Sequence, residues 1–131
     1  MAKKAGPVVW VGRVISTLVC LAFLFSAGMK FKGGEEVTQG MAHLGLPETM
    51  VRPLAILELA CVAIYAFPLT SVLGTILLTG YIGGVICTHW RVGDPLYTQT
   101  ALGVAVVLGL WLREPRLRSL LPFRLPAPER I

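Results

Sequence analysis

The sequence predicts an all-α polytopic membrane protein: an antiparallel four-helix transmembrane bundle with a short amphipathic helix between helices one and two. Three observations predict it. Four apolar runs, each near the length of a bilayer crossing, divide the 131 residues. Only 15% of residues are charged and 55% are hydrophobic, with a mean hydropathy of +0.73, whereas soluble domains carry about a quarter charged residues. The charge that remains is gathered at the two ends and in two connecting segments. The length suits one membrane domain over residues 1–131.

The first run, Val8 to Ala27, gives a helix over about residues 8–28, roughly 30 Å long and so a hydrocarbon thickness. Lys3 and Lys4 before it and Ser26-Ala27-Gly28 after it also suit a signal peptide. Arg13 interrupts the apolar stretch and three more runs follow, so an uncleaved first helix is expected. Lys30 to Leu46 is polar and glycine-rich. Within it Val37, Met41 and Leu44 fall on one helical face, Glu35 and Glu36 occupy the first turn, and Gly45 stands where such a helix would stop. This is the amphipathic helix, expected on or just within the membrane surface.

The second span covers about 51–67, with Pro53 tolerated near its start. Pro68 ends it, and Leu69-Thr70-Ser71 is too short for anything but an antiparallel return. The third span covers about 71–88, with Thr70 or Ser71 as its cap. Asp94-Pro95 reads as a cap followed by proline in the first turn, opening a fourth helix over about 95–112. The tail, 113–131, is basic and proline-rich and is expected to be flexible with little regular structure.

Orientation follows from lysine and arginine placement. Lys3, Lys4, Arg113, Arg116, Arg118, Arg124 and Arg130 lie on the side shared by both ends. Lys30, Lys32, Arg52 and Arg91 lie on the other. Seven against four puts both termini in the cytoplasm. The net charge of +5 is thereby accounted for by orientation, and no nucleic-acid partner is expected. Gly80 and Gly84, with Gly83 beside them, form a GxxxG on helix three. Ala101, Ala105 and Gly109 form a small-residue stripe on helix four. Both are candidate faces for close helix packing, within one chain or in a homo-oligomer.

Two charges fall inside apolar runs. Arg13 is near enough to the helix start to snorkel to the cytoplasmic surface. Glu58 is about seven residues, or roughly 10 Å, into helix two and must be paired or neutralised inside the bundle. By the topology above, His89, Arg91 and Asp94 gather at the same end, with Lys30 at the end of helix one. Tyr81 is about two turns before His89. Glu58, His89, Arg91, Asp94, Lys30, Tyr81 and Arg13 therefore make up the candidate polar site, either an ion-pair network sealing the bundle or a pocket for a polar headgroup. Nothing else reads as chemistry. His43 and His89 are too few and scattered for a metal, and Cys20, Cys61 and Cys87 have no CxxC spacing. No Walker, GxSxG or dinucleotide motif is present, so no cofactor is expected.

Several segments together resemble the DoxX-like family of small bacterial four-helix membrane proteins. They are Arg13 in helix one, Gly28-Met29-Lys30 at its end, and Leu44-Gly45-Leu46-Pro47 before helix two. Leu57-Glu58-Leu59, Gly80-Tyr81-Ile82-Gly83-Gly84 and Thr88-His89-Trp90-Arg91-Val92-Gly93-Asp94-Pro95 follow. The resemblance covers about residues 10–115, and the His-x-Arg-x-Gly-Asp-Pro segment is its most specific part. It implies a bacterial inner-membrane protein. The family takes its name from a subunit of a thiosulfate:quinone oxidoreductase, so a quinone or lipid ligand and a redox partner protein are the implied associations. The expectation is an accessory or binding subunit. The alternatives are a small membrane enzyme acting on a lipid-soluble substrate, with Glu58 and His89 as acid and base, and a purely structural membrane protein.

Overall fold

The computed structural model describes residues 6–127. Lys3, Lys4 and Arg130, which entered the charge count, lie outside the described residues. What is described is helical: α1 (Pro7–Lys32), α2 (Glu35–Leu44), α3 (Val51–Ala66), α4 (Ser71–Arg91), α5 (Tyr97–Arg113) and the single turn α6 (Pro115–Arg118). Short 3₁₀ turns precede α3 and α4. Pro7–Lys32, Glu48–Ala66 and Pro68–Arg91 are each long and apolar enough to cross a membrane. At 17 residues α5 reaches about 25 Å.

The long helices are apolar on all sides, which marks helices surrounded partly by lipid. Gly12, Ser16, Val19, Phe23 and Ala27 form the buried stripe of α1 at three-to-four-residue spacing. Leu18, Leu21 and Phe25 on the same helix stay exposed. Val19 and Phe23 join Cys61, Val62 and Tyr65 of α3, Leu78 and Ile82 of α4 and Val106 of α5 in one core. Each of α1, α3, α4 and α5 packs against two of the others: α1 on α3 and α5, α4 on α3 and α5.

Glycine makes these contacts possible, at Gly109 of the predicted stripe and at two positions outside the predicted faces. A Cβ on Gly74 would lie 2.2 Å from Tyr65 Cα, and one on Gly12 2.5 Å from the Arg113 amide nitrogen. Those two positions, with Gly109 against Ser16 and Tyr65, are where backbones meet. Gly80, Gly83 and Gly84 meet nothing within 4 Å. Within one chain, then, Gly80 and Gly84 do not form a packing face; their face opens onto a cavity. Of the stripe on α5, Gly109 is buried, Ala105 packs against the core and Ala101 is exposed.

Three further expectations change. First, α5 begins at Tyr97 with no side-chain cap bond, so Asp94 is not its cap; two histidines take the Asp94 carboxylate instead. Second, Thr70 holds the N-cap position of α4 as expected, but its side chain makes no cap bond. Thr70 Oγ1 donates to Ile64 O and Ser71 Oγ to Pro68 O, tying the turn to the preceding segment. Third, the start of the tail is folded. Arg118 lies over the Trp111 ring, 5.7 Å from its centroid, and donates to the Trp111 and Leu112 carbonyls, while Trp111 Nε1 donates to Leu121 O. The last carbonyls of α5 need donors, and this arginine supplies them.

Candidate functional site

The sequence-predicted polar residues fall into two groups and two outliers. The inner group is built on Glu58, which is 1% exposed. On α3 it shares the buried face with Ala55, Cys61 and Tyr65, at three-to-four-residue spacing. Lys30, in the last turn of α1, reaches across to Glu58 Oε2 at 2.8 Å and also donates to Ser26 Oγ at 2.8 Å. Tyr81 of α4 donates to the same Oε2 at 3.4 Å. Three helices thus meet on one carboxylate, and the ammonium is itself only 20% exposed. A buried charge without such a partner would be strongly unfavourable.

The outer group is built on Asp94, in the loop between α4 and α5. His89 Nδ1 lies 2.9 Å from Asp94 Oδ2, and His43 Nε2, from α2, lies 2.7 Å from Oδ1. The hydrogen bond from His43, then that from His89, holds the Asp94 carboxyl below its ordinary range. An ionised Asp94 accepts from both, so Nδ1 of His89 and Nε2 of His43 are the donors. Arg91 does not join either carboxylate; it donates to Leu44 O and lies under Gly45, closing the C-terminal end of α2. Arg13 is remote from both groups. It is exposed and stacks over Trp10, 4.9 Å from the ring centroid.

A cavity of about 790 Å³ joins the two groups. Its wall is mainly apolar, with Phe25, Met29 and Leu57 among the lining residues, and Gly80 and Gly84 lie where side chains would otherwise fill it. Lys30, Glu58, Tyr81, His43, His89 and Gln99, with the Ser26 and Thr88 hydroxyls, are its polar lining residues. Helix α2 covers it, presenting Val37, Met41 and Leu44. This helix buries only Met41 fully. It is bounded by Gly33 and Gly34, both at positive φ, and by Gly45 at φ 70°, where Leu46 N–H closes back on Met41 O. Its polar ties are His43 to Asp94 and Leu44 to Arg91. The arrangement is a lid over an apolar chamber that ends in an ion pair.

A larger groove, about 1220 Å³, runs along the outer faces of α1 and α5. Asp94 lines it, but no buried ion pair does. A second polar knot lies at the opposite ends of the helices. Arg113 donates to Tyr65 O at 2.8 Å and stacks on the Tyr65 ring, and Tyr65 OH bonds Ser16 Oγ and Val106 O. Arg113 Nε is buried there without a partner among the described residues. Among the described residues no group of three or more His, Cys, Asp or Glu is placed to hold a metal ion.

Sequence reasoning missed Ser26, His43 and Gln99 as members of the site. Ser26 was legible, since it is one helical turn before Lys30. His43 and Gln99 were not, because only the fold brings α2 and α5 to the chamber. Among known proteins, the model of the DoxX-like family matches residues 14–112, which include both polar groups. No curated protein and no solved structure is similar enough to count as a match.

Proposed function

The chain belongs to the DoxX-like family, and from that premise we propose that it is a binding or accessory subunit that holds a lipid-soluble ligand, a quinone or a lipid, in the chamber beneath α2. The ligand's polar end sits at Lys30 and Glu58, and its apolar part lies along the glycine wall of α4. The observation that carries this reading is the chamber itself: Gly80 and Gly84 leave space beside a buried ion pair, where a protein selected only for stability would pack side chains. The setting is a four-helix antiparallel transmembrane bundle in the bacterial inner membrane, with α5 as the fourth span and both termini cytoplasmic. A redox protein that exchanges the ligand is the partner this reading calls for.

The test is Glu58→Gln, which keeps size and hydrogen bonding but removes the charge. The variant is expected to remain folded and to lose co-purifying ligand. Unchanged ligand occupancy in the folded variant would overturn the reading.

One observation favours a second reading, a small membrane enzyme. His89 lines the chamber with Nδ1 held by Asp94, and in the neutral imidazole Nε2 is then the nitrogen left to take a proton from a bound substrate. Turnover of a quinone by the purified protein, lost in His89→Ala, would support it over simple binding. A purely structural role for the Lys30–Glu58 pair is the third reading, and it leaves the open glycine wall without a purpose.

A further inference from the structure

We infer that the folded-back segment after α5, residues 115–125, is a docking surface for an anionic phospholipid leaflet. Arg116 and Arg124 take headgroup phosphates, and Leu120, Phe123 and Leu125 enter the boundary beneath them. Placement comes first. A Cβ on Gly12 would lie 2.5 Å from the Arg113 amide nitrogen. The end of α5 is therefore level with the second turn of α1, a helix long and apolar enough to cross a membrane. The chain does not leave that level at once. Trp111 Nε1 donates to Leu121 O at 2.9 Å, Arg118 donates to the Trp111 and Leu112 carbonyls, and Leu125 N–H closes on Ser119 O at 2.7 Å. The segment is thus held where a bilayer turns from acyl chains to headgroups.

Its side chains suit that boundary. Leu120, Leu121, Phe123 and Leu125 are all exposed, Phe123 to 78%, and a patch of this kind marks an interaction surface. Charge says what meets it. At this end of the helices Arg13, Arg113, Arg116, Arg118 and Arg124 stand against one described acid, Glu114. The other described acids, Glu35, Glu36, Glu48, Glu58 and Asp94, lie at the opposite end. Three of the arginines are engaged by the protein itself: Arg13 lies over Trp10, Arg113 bonds Tyr65 O, and Arg118 bonds the carbonyls of α5. Arg116 and Arg124 are exposed and make no salt bridge among the described residues. A guanidinium fork matches phosphate oxygens, and an arginine stem can lie along apolar surface while its head reaches them. A free phosphate ion would leave the leucines and Phe123 uncovered. A leaflet with anionic headgroups meets the charge and the apolar patch together.

The experiment places the full chain in two nanodiscs with the same acyl chains, one of phosphatidylcholine and one of an equal mixture of phosphatidylcholine and phosphatidylglycerol. Amide exchange over 116–125 is followed in both. It is expected to be at least about fivefold slower in the mixture, an arginine at an anionic surface being worth about that factor, with exchange in the core of α3 unchanged. Arg116→Gln combined with Arg124→Gln is expected to exchange alike in the two nanodiscs. Salt at about 1 M should shrink the wild-type difference. Equal exchange of the wild type in both nanodiscs, or a difference that survives the double variant or the salt, would overturn the inference. Exchange that is equally fast in both nanodiscs but slow in the cell's own membrane would also overturn it and assign the face to a partner protein. The wild-type comparison decides the matter even if the double variant does not fold.

Discussion

At the scale of residues, the decisive pair is Lys30 and Glu58. Its members come from different helices and are each largely out of water, so removing one leaves the other uncompensated. Lys30→Met is expected to lower stability by about 3–5 kcal/mol, whereas Lys30→Met combined with Glu58→Met should be close to neutral or slightly stabilising. Thermal unfolding of the single and double variants in one detergent measures both. A double variant as unstable as the single would mean that the pair's contribution lies in packing rather than charge. Glu58 announced itself in the sequence, because a charge inside an apolar run is costly. Its partner did not: Lys30 was one of several cations assigned to the same end. Arg13 carried a similar signal and proved to be a surface residue stacked on Trp10. Apolar runs show where a charge sits along a helix, but the helix's rotation about its axis comes only from packing.

At the scale of elements, glycines sort into two kinds. Gly74→Ala forces a methyl into the backbone of α3 and should destabilise by about 1–3 kcal/mol or more. Gly80→Ala meets open space and should be neutral or gain up to about 1 kcal/mol of helix propensity. Gly80→Leu should stay folded but exclude ligand. Thermal unfolding and ligand content of the three variants separate packing glycines from chamber glycines. The GxxxG spacing was visible in the sequence, yet it could not distinguish a contact face from a void, because both ask for the absence of a side chain.

The lid is an element-scale device too. Asp94→Asn should loosen α2 and raise amide exchange over 35–44 several-fold, with exchange in the core of α3 unchanged. Because Asp94 titrates below its ordinary 3.8, the charged latch contributes above that value and is lost only as pH falls through the lowered one. Exchange in α2 should therefore be unaffected by Asp94 between pH 7 and 5. Loosening of α2 in that range that persists in Asp94→Asn would trace to other groups. The amphipathic pattern of α2 was legible from Val37, Met41 and Leu44. That it covers a chamber was not, since the same face would suit a membrane surface.

At the scale of the whole molecule, four long helices were legible from apolar runs alone, and the structure places helices on all four. Their ends were less so. α1 runs on to Lys32, α5 starts at Tyr97, and Trp111 with Arg118 folds the proline-rich segment back against α5. Prolines forbid helix but do not forbid docking. The proposed topology is tested by cysteine labelling on a background with Cys20, Cys61 and Cys87 replaced. Lys32→Cys is expected to react with an impermeant maleimide in intact cells, and Arg124→Cys only after permeabilisation; the reverse pattern would invert the orientation.

The central claim, that this protein holds a small lipid-soluble molecule in the chamber under α2, is tested most directly by native mass spectrometry. Wild type and Glu58→Gln would be extracted gently from their own membrane and compared. The account predicts a small molecule bound stoichiometrically to the wild type and depleted in the folded variant. A wild-type chain that carries no small molecule, alone or as an oligomer, would contradict it.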